Sequence, residues 1–199
     1  MMKNINFLPV ISLLLSACAP ALDKEWDWDN GSGLMDSGDT ASEIEGVYSR
    51  VVNATDYELW TYLDLETNSF VEVDDPMASS DWDIGMLRYH IKLNSGIHGP
   101  AEVQAVIVEG EDYDTYAEVP TDGYQIDLED ENGDGTPEYV FGTWYDYDIS
   151  THILTPKNSF YVVKSKNQFH YKFQILSYYS DAGTPANVHI NWEILDPVE

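Results

Sequence analysis

From residue 47 onward, apolar side chains recur at every second position in segment after segment. Leu59, Thr61, Leu63 and Leu65 alternate with Glu58, Trp60, Tyr62 and Asp64. Leu87, Tyr89, Ile91 and Leu93 alternate with Arg88, His90 and Lys92. Near the C-terminus, Phe169, Tyr171, Phe173 and Ile175, and then Val188, Ile190, Trp192 and Ile194, repeat the pattern. Successive side chains of an extended strand point to opposite faces, so this period gives each strand one apolar face, whereas a helix needs 3.6. The aromatic and β-branched residues that dominate these segments suit a half-buried pleated surface. The runs from Phe160 to Lys164 and from Phe169 to Tyr178 flank Ser165-Lys166-Asn167-Gln168, the spacing of a hairpin. No stretch makes an amphipathic helix. The expected fold class is all-β, with a single antiparallel domain over residues 46–199.

The N-terminus reads differently. Lys3 gives a basic start, Val10 to Leu15 an apolar run, and Leu15-Ser16-Ala17-Cys18 follows. A basic end, a short apolar centre and small residues before a cleavage point are the parts of a signal peptide, here residues 1–17. The cysteine after the small pair matches a bacterial lipobox, which implies lipidation of Cys18 and cleavage before it. Residues 18–45 are rich in Asp, Gly and Ser, with too little apolar content to repay ordering, and read as a flexible tether. Trp26 and Trp28 are the exceptions in it. The expectation is an exported chain, lipid-anchored to a membrane, at the outer membrane or cell surface. Ala19-Pro20 after Cys18 fits that placement by analogy with enteric-type sorting. Cys18 is the sole cysteine, so neither a disulfide nor a thiol nucleophile is expected in the domain.

Nine Lys plus Arg against 36 Asp plus Glu give a formal charge of −27. Such a chain repels phosphate backbones and anionic lipid, so nucleic acid is not an expected partner. The acids concentrate over residues 109–138, which hold no Lys or Arg, while Lys157, Lys164, Lys166 and Lys172 cluster later.

The five histidines sort by position. His90, His170 and His189 fall between polar neighbours on the polar faces of strands, as solvated side chains. His98 falls in a Gly/Pro loop and His152 in a connection between strands, and loops displayed by a rigid sheet are where binding residues concentrate. Trp144, Tyr145 and Tyr147, just before His152, supply aromatic surface for a flat ligand.

Trp82-Asp83-Ile84-Gly85-Met86-Leu87-Arg88-Tyr89, followed by Asn94-Ser95-Gly96, resembles a signature of the HmuY family of haem-binding lipoproteins. Tyr57 to Asp64 fits the family's first strand, Val119 to Tyr124 its middle, and Phe160 to Lys164 with Ile175 to Tyr179 its terminal hairpin. The resemblance implies an all-β fold and capture of haem through two axial side chains. His152, which follows Trp144, corresponds to one of them. The other should fall between Tyr124 and Trp144, but no histidine occurs from Gly99 to Thr151. Haem ligation then rests on His152, with His98, Met77 or Met86 to complete the pair, or with five-coordinate iron. Trp144 and Tyr145 would form the wall of the site.

The segment from Asp130 to Glu138 reads Asp-Glu-Asn-Gly-Asp-Gly-Thr-Pro-Glu. Oxygen side chains at Asp130, Asn132, Asp134 and Glu138, with the Thr136 carbonyl, suit a hard cation such as calcium. Phe141 stands where an EF-hand has its bidentate Glu, so the match is to a short Asp-rich loop. A metal-free acidic turn is the alternative.

No Gly-x-Ser-x-Gly, His-Glu-x-x-His, Walker loop or dinucleotide fingerprint is present, and an enzyme is not expected. Two functions remain open. One is a lipoprotein that binds haem or a related tetrapyrrole and hands it to an outer-membrane haem transporter. The other is a β domain that has lost haem ligation and serves surface interaction or adhesion, with or without bound calcium. Replacing Cys18 with Ser should abolish incorporation of labelled palmitate and move the protein from the detergent to the aqueous phase. Unchanged labelling would contradict lipidation at this residue.

Overall fold

In a computed structural model of the chain, residues 42–44 and 47–195 are described. Cys18, the expected signal peptide and the tether through residue 41 lie outside the described residues. Twelve strands occur: β1 (Ser42–Ile44), β2 (Val47–Asn53), β3 (Thr61–Asp64), β4 (Ser69–Val71), β5 (Ile84–Leu87), β6 (His90–Leu93), β7 (Gln104–Glu109), β8 (Tyr145–Asp148), β9 (Ile153–Pro156), β10 (Ser159–Lys164), β11 (His170–Tyr179) and β12 (Pro185–Leu195). No helix occurs among the described residues, and every strand pair is antiparallel. The all-β expectation holds. β1 falls at the end of the stretch read as tether and pairs with β2.

A six-stranded sheet runs β1-β2-β12-β11-β10-β7, a four-stranded sheet β4-β3-β5-β6, and β8-β9 form a separate ribbon. The period of two is most faithful in β12, where Val188, Ile190 and Trp192 are fully buried and His189, Asn191 and Glu193 are half-buried. The hairpin of β10 and β11 pairs Tyr161 with Phe173 and Lys164 with His170, around the expected turn. Leu63, Leu65, Ile84, Met86, Ile91 and Leu93 from the small sheet join Val163, Phe173, Ile190 and Trp192 from the large one in a single core. Phe160 and Val162 face the other way and are covered by Tyr113, Tyr116 and Val119. β10 is therefore buried on both faces, because the acidic stretch after β7 folds back over it.

One expected strand is two. The alternating run from Leu87 to Leu93 breaks at Arg88-Tyr89, a two-residue turn that pairs Leu87 with His90. Neither residue is a turn former, and Arg88 has a positive φ of 55°, a conformation disfavoured for non-glycine residues. Tertiary bonds hold it there. Its amide donates to the Ala54 carbonyl (2.8 Å) and its guanidinium to the Thr55 carbonyl (3.0 Å). The guanidinium also lies 4.5 Å from the centre of the Tyr57 ring.

Buried polar groups join the elements where strands end. The Asp83 carboxylate accepts from the amides of Leu65 (2.9 Å) and Lys166 (3.3 Å), tying the small sheet to the β10-β11 turn. Asp127 accepts from Leu93 (2.8 Å) and Val140 (2.8 Å). Asn94 donates to the carbonyls of Ser79 and Trp82 and accepts from Ala101. A side chain at Gly99 would put its Cβ 1.9 Å from the Asn94 Oδ1, and one at Gly96 would meet the Asp127 carbonyl at 2.3 Å. These contacts give the Trp82-Asp83 and Asn94-Ser95-Gly96 motifs a structural reason.

Burial pushes both carboxyl groups up to about 6, against the pull of the amides they accept from. A folded-state pKa above the ordinary value of about 4 means that stability is full below that pH and is lost as pH rises through 6, on the order of 3 kcal/mol per group. Thermal unfolding should therefore occur at lower temperature at pH 7 than at pH 4. In Asp127→Asn the slope over this interval should be visibly flatter, whatever the change at pH 4. An identical slope in the variant would contradict the assignment.

Candidate functional site

The site is assembled from the outside of the small sheet and the β8-β9 ribbon. Asp127 fixes the amide of Val140, and the chain then turns so that Phe141 and Trp144 enter the core. The Trp144 indole N–H donates to the Tyr89 carbonyl at 2.9 Å, and the Trp144 carbonyl accepts from the Lys157 amide at 2.9 Å. One tryptophan thus links the Arg88-Tyr89 turn to the far end of the ribbon. Leu154 in β9 donates its amide to the Tyr179 hydroxyl (3.1 Å), which docks the ribbon on β11.

The ribbon's connection, Asp148-Ile149-Ser150-Thr151-His152, is self-capped. The Asp148 side chain accepts from the Ser150 amide (2.8 Å) and hydroxyl (2.7 Å), and its backbone carbonyl accepts from the His152 amide (2.8 Å). Hydrogen bonds from Ser150 and Thr151 hold the Asp148 carboxyl down at about 2. His152 closes the connection at a φ of 59°. Its Nδ1 is hydrogen-bonded to the Tyr147 hydroxyl, and its Nε2 has no protein partner among the described residues.

A cleft of about 650 Å³ opens between these parts, with His152 and Leu154 on the ribbon side, Arg88, Tyr89 and His90 on the hairpin side, and Tyr178 behind. The volume lies within the usual range for small-molecule sites, and the lining is largely apolar. Tyr57 overhangs it on the Arg88 side. Burial lowers the pKa of His90 and raises that of Tyr178, so imidazole and phenol are both held uncharged. A smaller groove of about 310 Å³ adjoins it across Tyr89 and His90 and contains Tyr145.

The other hollows fit an apolar, anionic ligand less well. One of about 410 Å³ is lined by Glu111, Asp112 and Asp114. Another of about 500 Å³, by Tyr124, Leu128 and Glu138, contains neither histidine nor cation.

The expected residues separate on this geometry. His152 lies in the cleft. Tyr145 flanks it, 6.0 Å from the Tyr89 ring in an edge-on contact. Trp144 is 2 % exposed and supports the wall from behind, because its apolar ring fills the core beneath the ribbon. His98 is elsewhere: it stacks on Tyr139 at 5.3 Å with a 9° interplanar angle, its Nε2 3.8 Å from Asp127. Burial and nearby Lys92 lower its pKa to about 4. Neither His98, Met77 nor Met86 lines the cleft. Met86 is fully buried in the core, and Met77 is on an exposed turn. His90, read from sequence as a solvated side chain, does line it, together with Arg88 and Tyr178. The signal that would have found them is the unexpected turn, which the uninterrupted alternation concealed.

In the Asp-rich loop, the oxygens expected to hold calcium accept backbone amides instead. Asp130 accepts from Gly133 (2.6 Å) and Gly135 (2.8 Å), Asn132 from Asp134 (2.9 Å), Asp134 from Thr136 (2.9 Å) and Glu138 from Asn132 (3.3 Å). No group of three or more His, Cys, Asp or Glu side chains suited to a metal ion occurs among the described residues. The loop is a self-bonded acidic turn, and calcium is without support.

The fold and cleft define an all-β domain with an aromatic, histidine-bearing cleft set between a hairpin turn and a ribbon. The chain belongs to the HmuY family, which matches residues 56–192. The structure is similar to that of the apo HmuY analogue of Tannerella forsythia, with a TM-score of 0.60 and 20% identity, covering 80% of this chain and 100% of that one. It is also similar to a protein of Bacteroides vulgatus assigned as a HmuY-like haem-binding protein (TM-score 0.56, 20% identity, 77% and 94% covered). A third similar structure, from Bacteroides fragilis, is assigned as a lipoprotein (TM-score 0.57, 19% identity, 79% and 95% covered). No curated protein matches the chain in sequence.

Proposed function

We propose that this protein is a lipid-anchored haem-binding protein that takes up haem, or a closely related tetrapyrrole, in the cleft between the Arg88-Tyr89 turn and the β8-β9 ribbon. The observation that carries the reading is the cleft's composition: aromatic side chains beside His152, whose Nε2 has no protein partner among the described residues. Membership of the HmuY family and the resemblance to a HmuY-like haem-binding protein support it.

The residues present suit haem. Binding of this ligand draws on burial of a large apolar macrocycle and on axial ligation, which sets the iron's spin state and potential. Tyr89, Tyr178 and Leu154 supply apolar surface for the macrocycle. Ligation through Nε2 would place the proton on Nδ1, where the Tyr147 hydroxyl would accept it, as partners of metal-bound histidines generally do. The ligand's two carboxylates bring negative charge to a protein already at −27. Arg88, which has no carboxylate partner among the described residues, is the cation in the cleft that offsets this. Nothing in this arrangement calls for catalysis. Its roles are capture and release, consistent with delivery from an anchored protein to an outer-membrane haem transporter.

Titration of the full-length protein with haem should give a saturable Soret shift at one equivalent. His152→Ala should abolish the shift or weaken it more than tenfold. Tyr147→Phe should keep the spectrum but weaken binding by roughly tenfold, as loss of a partner to a metal-bound histidine typically does. A weak, non-saturating band that His152→Ala leaves unchanged would overturn the proposal in favour of a surface-interaction role for the same fold.

A further inference from the structure

His90 has no assigned role, and its surroundings are unusual for a histidine that merely decorates a strand. It is the first residue of β6, directly after the Arg88-Tyr89 turn, and pairs with Leu87. Its ring lies 4.2 Å from that of Tyr89 and 5.5 Å from that of Tyr139, centroid to centroid. The side chain is half-buried, yet neither ring nitrogen has a hydrogen-bond partner among the described residues. His152 and His189, by contrast, bond through their rings to Tyr147 and Ser49. Both ring nitrogens reach solvent, so either is open to a ligand atom.

The turn brings this ring into the lining of the same cleft as His152. The two residues stand 62 positions apart in sequence, with no histidine from Gly99 to Thr151. We infer that His90 is the second axial ligand of the haem iron, so that the metal is held between an imidazole on the hairpin and one on the ribbon. The inference rests on the haem reading above and adds to it the identity of the second ligand, a six-coordinate low-spin state and a source of selectivity. A metal-free porphyrin makes neither bond and should bind far more weakly than haem.

The test is the spin state of ferric haem bound to full-length protein, read by visible absorption and low-temperature electron paramagnetic resonance. Wild type should be low-spin. His90→Ala should bind haem with a high-spin signal, and added imidazole should restore the low-spin one, which a collapsed cleft would not allow. His90→Met should be low-spin, with the near-infrared band of sulfur ligation. A low-spin His90→Ala spectrum indistinguishable from wild type would overturn the inference and leave His152-dependent haem binding standing. Absence of saturable binding in wild type would overturn the haem reading itself, and this inference with it.

Discussion

The carboxylate of Asp127 holds together the part of the molecule on which the site depends. It accepts one amide at the end of β6 and one at the start of the segment leading to the ribbon. Fixing Val140 fixes the entry of Phe141 and Trp144 into the core. Trp144 in turn bonds the Arg88-Tyr89 turn and receives the end of the ribbon. His90 and His152 therefore line one cleft through a chain of contacts that begins at a buried acid. The cost of burying that acid is visible in its pKa, raised to about 6. It is tolerated because an amide left unpaired in the interior costs a comparable amount.

Charge and cleft chemistry work in different places. The acidic surface keeps the domain solvated and discourages association with anionic polymers, whereas the cleft is aromatic and carries Arg88. Lys92 and Lys172, which add to the short supply of cations, are instead buried in structural roles. Lys92 lies 4.0 Å from the Trp60 ring centre and close to Tyr62 and Trp82. Lys172 pairs with Glu193 at 3.2 Å. Arg88 is thus distinctive in lining the aromatic cleft. A ligand with an apolar body and an anionic edge matches that arrangement.

Much of the fold was legible in the sequence, and less of the site. β12 announces itself because one face of it meets the core, so that alternation and burial coincide along most of its length. The turn at Arg88-Tyr89 was invisible because nothing local favours it: amide and guanidinium bonds to Ala54 and Thr55 impose a conformation that neither residue prefers. That one hidden turn also hid His90, whose place on the polar side of a continuous strand would have left it in solvent. His98 had the reverse fate. A Gly/Pro loop displayed it to sequence reading, but Asn94 and Asp127 anchor the loop inward and the ring packs on Tyr139. The Asp130–Glu138 segment has the composition of a cation loop, yet its oxygens are taken by the loop's own amides. Composition alone could not reveal where those bonds go. His152 was found because it lies in a connection between strands, the kind of position where exposure does not depend on register.

Where the ligand sits is tested most directly by amide chemical shifts of the isotopically labelled protein on addition of diamagnetic gallium protoporphyrin. The largest perturbations should fall on Arg88 to Ile91, Tyr147 to Leu154 and Tyr178-Tyr179, with little change elsewhere. Perturbations centred instead on Tyr124 to Leu128, the hollow without histidine or cation, would contradict it.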